Sequence, residues 1–139
     1  MTRYILSVDG ACSGKRAVCA AVVESNGKVV AEGSRHLPQV TGYVLASEIA
    51  GVALAGELLG TEGGAHDVTI ETDNPDVPRV IEDRFRPKQY SRIPPALLEA
   101  AREFCRDHRV TFMLLPRNST PGLQRADRLA RKHLWRKRC

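Results

Sequence analysis

The sequence predicts an α/β fold, one mixed five-stranded sheet flanked by helices, with the elements in the order βββαβααβα. Three observations lead there. Five short stretches alternate apolar and polar residues or are rich in small and β-branched ones. An Asn26-Gly27 pair separates the second and third, which is the signature of a tight hairpin. Helix-period stretches separate the later strands but none separates the first three. A meander followed by alternating helices and strands implies antiparallel and parallel pairing in one sheet covered by helices. The 139 residues are expected to form a single domain, 1–139, long enough to bury one sound core.

The elements follow in order. Tyr4 to Val8 alternates and meets Asp9-Gly10, read as a strand entering a turn. Ala17 to Glu24 and Val29 to Leu37 form the hairpin around Asn26-Gly27. Leu45, Ile49, Val52, Gly56 and Leu59 recur at helical spacing until Gly60 stops the helix. Val68 to Asp73 alternates again and breaks at Asn74-Pro75. A short helix over about Asp76–Asp83 leads into Arg84–Arg92, nine residues with four basic side chains, two aromatics and no acid. Ile93-Pro94-Pro95 opens a helix to about His108, with Leu97, Leu98, Ala101 and Cys105 on its apolar side. Val110 to Leu115 is the last strand. Thr120 as cap and Pro121 at the first position begin the final helix, whose buried stripe is Leu123, Ala126, Leu129, Ala130, His133 and Leu134.

Composition narrows the function classes. No apolar run approaches the ~20 residues of a membrane helix, and the opening residues lack the pattern of a signal peptide. A cytoplasmic, monomeric protein is therefore expected. Cys12, Cys19, Cys105 and Cys139 form no close pair, so reduced thiols are expected rather than a zinc site or disulfide framework, with Cys139 exposed. Eight basic side chains and one acid fall between Arg117 and Arg138, more than the chain's whole net charge of +5. A local basic stripe suits a polyanion; a solvated helix face is the plainer alternative.

The carboxylates carry the chemistry. Two predicted strands each lead to an aspartate, Asp9 before Gly10 and Asp73 before Asn74. If the strands are parallel neighbours, both project from the sheet edge where open α/β sheets place ligands. Such a pair repels unless a cation neutralises it, and hard oxygen ligands suit Mg²⁺ or Mn²⁺. Each aspartate singly is more often a turn residue or cap. Glu48 lies in the first turns of the small-residue helix, where a dipole-favoured charge is the plain reading. Asp127 is the one acid of the basic block, and a salt bridge to Arg131 at i+4 is its ordinary role.

Taken together, Ile5-Leu6-Ser7-Val8-Asp9-Gly10-Ala11, Ser47-Glu48-Ile49-Ala50-Gly51-Val52-Ala53-Leu54, Thr69-Ile70-Glu71-Thr72-Asp73-Asn74 and Arg125-Ala126-Asp127-Arg128-Leu129-Ala130 resemble the four acidic motifs of type 1 ribonuclease H, in that family's order, from Tyr4 to about His133. The resemblance implies a ribonuclease H-like fold, with Asp9, Glu48, Asp73 and Asp127 as metal-binding catalytic acids and Asp9 as the bridging ligand. It also implies two Mg²⁺ (or Mn²⁺) ions when substrate is bound, and hydrolysis of the RNA strand of an RNA–DNA hybrid. Arg84, Arg86, Lys88 and Arg92 stand where some relatives carry a basic protrusion; with Arg117, Asn118 and Arg131 they are the expected nucleic-acid contacts. Two departures matter. Leu115 to Asp127 contains no histidine, and Thr41 to Ser47 contains no asparagine to read a 2′-hydroxyl. A structure-selective DNA nuclease of the same fold, or a non-catalytic nucleic-acid-binding module, are the alternatives.

Overall fold

A computed structural model describes residues 2–60 and 62–136. Five strands form one sheet in the order β3-β2-β1-β4-β5. They are β1 (Arg3–Ser13), β2 (Arg16–Ser25), β3 (Lys28–His36), β4 (Asp67–Thr72) and β5 (Arg109–Leu114). The β1–β2 and β2–β3 pairs are antiparallel, whereas β1–β4 and β4–β5 are parallel. The mixed sheet and the order of elements are those expected from the sequence.

Strand β2 shows why this sequence makes a three-layer structure. Every residue from Ala17 to Val23 is buried, and the side chains divide by the period of two. Ala17, Cys19, Ala21 and Val23 join the larger core, while Val18, Ala20 and Val22 join a smaller one. Small and β-branched side chains let helices approach both faces. Helix α1 (Val44–Leu59) packs on β1 and β2 from the first side, backed by α2 (Asp76–Ile81) and α3 (Pro95–Asp107). Helix α4 (Pro121–Leu134) packs on β1, β2 and β3 from the second. Leu6, Ile49 and Ile70 are wholly buried in the larger core, each worth about 1.5–3 kcal/mol of transfer free energy. Arg16 ties the last turn of α4 to the β1–β2 hairpin, its guanidinium donating to the His133 and Leu134 carbonyls at 3.2 and 3.1 Å.

Several boundaries depart from the sequence expectation. Strand β1 does not turn at Asp9-Gly10; it runs to Ser13 because antiparallel pairing with β2 continues after β4 has ended. The turn comes at Gly14, whose φ is +58°. Helix α2 stops at Ile81, and the basic segment contains a 3₁₀ turn, Tyr90–Arg92. On α3 the buried residues are Leu98, Ala101 and Phe104, with Leu97 and Cys105 only half-buried against the core. On α4 the buried stripe includes Gly122 and Asp127, while Leu129 and His133 are half-buried. Cys12, Cys19 and Cys105 are free thiols; Cys139, Lys137 and Arg138 lie outside the described residues. Among the described residues no helix is long and apolar enough to cross a membrane.

Candidate active site

Topology places the first two acids. Strands β1 and β4 are in parallel register, with Ser7 opposite Glu71. Two residues further along each chain stand Asp9 and Asp73. Strand β4 ends at Thr72, where the Thr72 Oγ1 accepts from the Asn74 N–H at 3.2 Å and the Asn74 Oδ1 from the Asp76 N–H at 2.9 Å. This tight turn opens the sheet beside Asp9, which remains held within β1 by its pairing with Ala20 of β2.

Gly10 admits the third acid. A Cβ on Gly10 would lie 2.7 Å from the Glu48 backbone nitrogen and 2.2 Å from the Ser47 Oγ. Only a glycine lets the first turn of α1 rest directly on β1. Carboxylate oxygens of Asp9, Glu48 and Asp73 consequently all come within 4.8 Å of one another. Glu48 is buried, and its Oε2 has no hydrogen-bond partner. A buried, unpartnered carboxylate oxygen is costly, and a cation bound by all three groups would satisfy it. The all-oxygen donor set fits a hard divalent ion such as Mg²⁺ or Mn²⁺.

Electrostatics record the crowding. Burial, together with the negative charges of Asp127 and Asp73, pushes the Asp9 carboxyl up to about 7 despite the Gly10 N–H. Burial, then Asp73 and Asp9, pushes Glu48 up to about 8.

Asp127 is in a different condition. It is 4% exposed on the inward side of α4, near enough to Asp9 for its charge to act on that carboxyl. Burial is the largest single influence and would raise its pKa, yet Arg131, Asp9 and Arg117 together outweigh it and hold Asp127 below the usual carboxylate range. The Arg131 Nε donates to its Oδ2 at 2.9 Å and the Nη2 donates to the same oxygen. Arg117 approaches the Oδ1 at 3.8 Å. The i+4 pair anticipated from the sequence is therefore formed. Asp127 adjoins the three-acid cluster without sharing its open, unpartnered state.

A buried polar linkage behind the acids escaped the sequence reading. Glu71 Oε1 accepts from Ser7 Oγ at 2.9 Å and from Thr120 Oγ1 at 2.8 Å, while Thr120 also caps the Leu123 N–H of α4. A Cβ on Gly122 would meet Ser7 Oγ at 2.1 Å, so α4 begins in direct contact with the sheet. These contacts set where Asp127 stands. The signal was a charged residue between Ile70 and Thr72 in an otherwise buried strand, on the same face as Ser7.

The expected nucleic-acid contacts scatter. Arg117 and Arg131 lie beside the acids. Arg92 reaches the entry to α1, donating to the Thr41 carbonyl with its guanidinium 5.2 Å from the Tyr43 ring centre. Arg84 pairs with Glu82 and Arg86 with Asp83, and Lys88 is exposed. Asn118, at φ +56°, shapes the loop before α4, and its carbonyl accepts from Gln124.

No family model matches the chain, and no curated protein matches it in sequence. Solved structures do. The N-terminal RNase H domain of rv2228c from Mycobacterium tuberculosis superposes with a TM-score of 0.77 at 20% identity, covering 96% of this chain and 94% of that one. RNase H1 from the halophilic archaeon Halobacterium salinarum gives 0.76 at 24% identity, over 95% and 97%. LC11-RNase H1 in complex with an RNA/DNA hybrid gives 0.68 at 19% identity, over 94% and 96%. With the sheet order, the strand directions and the near-complete coverage, these likenesses identify the chain's fold as that of the type 1 ribonuclease H domains.

Proposed function

We propose that this chain is a divalent-metal-dependent endonuclease that hydrolyses the RNA strand of RNA–DNA hybrids by a two-metal-ion mechanism. The observation that carries the reading is the convergence of Asp9, Glu48 and Asp73 within 4.8 Å, with a buried Glu48 oxygen lacking any partner. A non-catalytic binding module gains nothing from massed carboxylates, which repel phosphates. The fold and the hybrid bound to LC11-RNase H1 support a nucleic-acid substrate.

Asp9, Glu48 and Asp73 would hold one cation, and Asp9 with Asp127 a second. Bound there, such ions lower the pKa of an attacking water and stabilise the attacking and leaving oxygens of the phosphodiester. The chain supplies rigidity: Asp9 is fixed in a paired strand, Glu48 on a helix seated on Gly10, and Asp73 after a hydrogen-bonded turn. Arg117, Arg92 and Lys88 would meet phosphates, which position the duplex without specifying sequence.

The test is a cleavage assay on end-labelled RNA–DNA, RNA–RNA and DNA–DNA duplexes and a four-way DNA junction, with Mg²⁺, Mn²⁺ or chelator. Metal-dependent cutting of the hybrid's RNA strand alone supports the reading. Cutting of the junction alone would replace it with a structure-selective DNA nuclease, the alternative motivated by the absence of an asparagine from Thr41 to Ser47 to read a 2′-hydroxyl. Tight hybrid binding without cutting would leave the binding module.

Acidity gives a second check. Glu48 titrates near 4.5 when unfolded and about 8 when folded, so the folded chain retains a proton that the unfolded chain releases in between. Its contribution to stability is full below pH 4.5 and is lost as pH rises towards 8. Glu48→Gln, which mimics the neutral acid, should therefore raise Tm without metal at pH 8 but barely at pH 5. Because cations bind the ionised carboxylate, it should also remove much of the Mg²⁺-induced rise in Tm at pH 8. His108 and His133, held below the usual imidazole range chiefly by burial, tilt both proteins alike. Thermal melts at the two pH values decide: an equal effect at both would overturn the assignment of Glu48.

A further inference from the structure

Two kinds of carboxylate stand side by side at this edge of the sheet. Glu48 Oε2 is buried without a partner, whereas Asp127, equally buried, already has a cationic one. Arg131 presents two N–H groups to one Asp127 oxygen, and Arg117 stands 3.8 Å from the other. A guanidinium fork is a strong, geometrically defined partner for a carboxylate, and the i+4 spacing on α4 keeps it within reach. The Arg131 side chain is itself 57% exposed, so it can leave for water at little desolvation cost, but buried Asp127 would then keep only the more distant Arg117 as a cationic partner. Whatever displaces Arg131 must bring positive charge of its own.

We propose that Arg131 is a latch on the second cation site: it occupies Asp127 as an internal cation, so that the chain without substrate takes one divalent ion at Asp9, Glu48 and Asp73, and a second only by displacing the guanidinium. This rests on the metal-site reading above and adds to it that the two sites are unequal and that one arginine makes them so. Arg131 is a positioning residue here. It holds Asp127 in place and sets the affinity of the second site.

Calorimetric titration with Mn²⁺ tests the latch without reference to cleavage. Wild type should bind one Mn²⁺ tightly. Arg131→Gln should gain a second site, or tighten a weak one by roughly ten- to a hundredfold, the range over which an opposite charge at contact distance shifts a competing equilibrium. Arg131→Lys, which keeps the charge but loses the fork, should fall between. Arg128→Gln removes an equal charge from an exposed position on the same helix and should behave as wild type. Circular-dichroism melts in chelator establish that each variant is folded. One Mn²⁺ of unchanged affinity in both wild type and Arg131→Gln would overturn the latch while leaving the three-acid site standing. The same gain in Arg128→Gln would also overturn it, by showing a general charge effect. No Mn²⁺ binding by wild type would overturn both the metal site and the latch.

Discussion

Asp73→Asn should lower metal-dependent cleavage of an RNA–DNA hybrid by on the order of 10³-fold, a loss of about 4 kcal/mol of transition-state stabilisation, while hybrid affinity stays equal or tightens. Asparagine keeps the size of aspartate, and the Asn74 and Thr72 turn that positions it does not involve the carboxylate. The fold should therefore survive. What is lost is one of three carboxyl groups converging within 4.8 Å, together with one of the two oxygens that an ion could use. Removing that charge also reduces repulsion of the backbone phosphates, which is why binding is not expected to weaken. Single-turnover cleavage beside fluorescence anisotropy of a labelled hybrid measures both. Turnover within tenfold of wild type would remove Asp73 from the site.

Gly10→Ala should destabilise the chain by about 3 kcal/mol, the upper range for overpacking a tight contact, and should lower cleavage by on the order of 10²-fold through displacement of Glu48. The added methyl would stand 2.7 Å from the Glu48 nitrogen and 2.8 Å from the Ser47 carbonyl carbon. Ser47 Oγ could rotate away, but backbone atoms cannot, so α1 must lift from β1. Urea unfolding and the hybrid assay check the two effects. A cost under 1 kcal/mol with wild-type turnover would show that the helix is not seated as described. The two variants also separate roles, because Asp73→Asn changes charge at a fixed geometry whereas Gly10→Ala changes geometry at a fixed charge.

Gly10 also shows where sequence reading failed. An Asp-Gly pair at the end of an alternating run is the ordinary signature of a turn, yet here the glycine is needed by Ser47 and Glu48 of a helix much later in the chain. The strand continues because β2 offers it hydrogen-bond partners as far as Ser13. Neither fact is local, so no window of sequence contains it. Glu71 teaches the same lesson. A glutamate within a strand is unexplained until Ser7 on the adjacent strand and Thr120 at the start of α4 are seen to donate to it.

The sequence by itself determined what depends on period and on local chemistry. The alternation of Val68–Thr72, the hairpin at Asn26-Gly27, the Thr120-Pro121 helix start and the order of elements follow from neighbours a few residues apart. It also put the four acids forward as candidates, through the order of four motifs along the chain, since each acid singly has a plainer local reading. Only the tertiary structure decided their states. Parallel pairing of β1 with β4 and the seating of α1 on Gly10 bring three carboxylates together and leave one oxygen unpartnered, while α4 turns the fourth towards its own arginine. Charge interactions depend on distance and burial, and both are set by contacts between residues far apart in the chain.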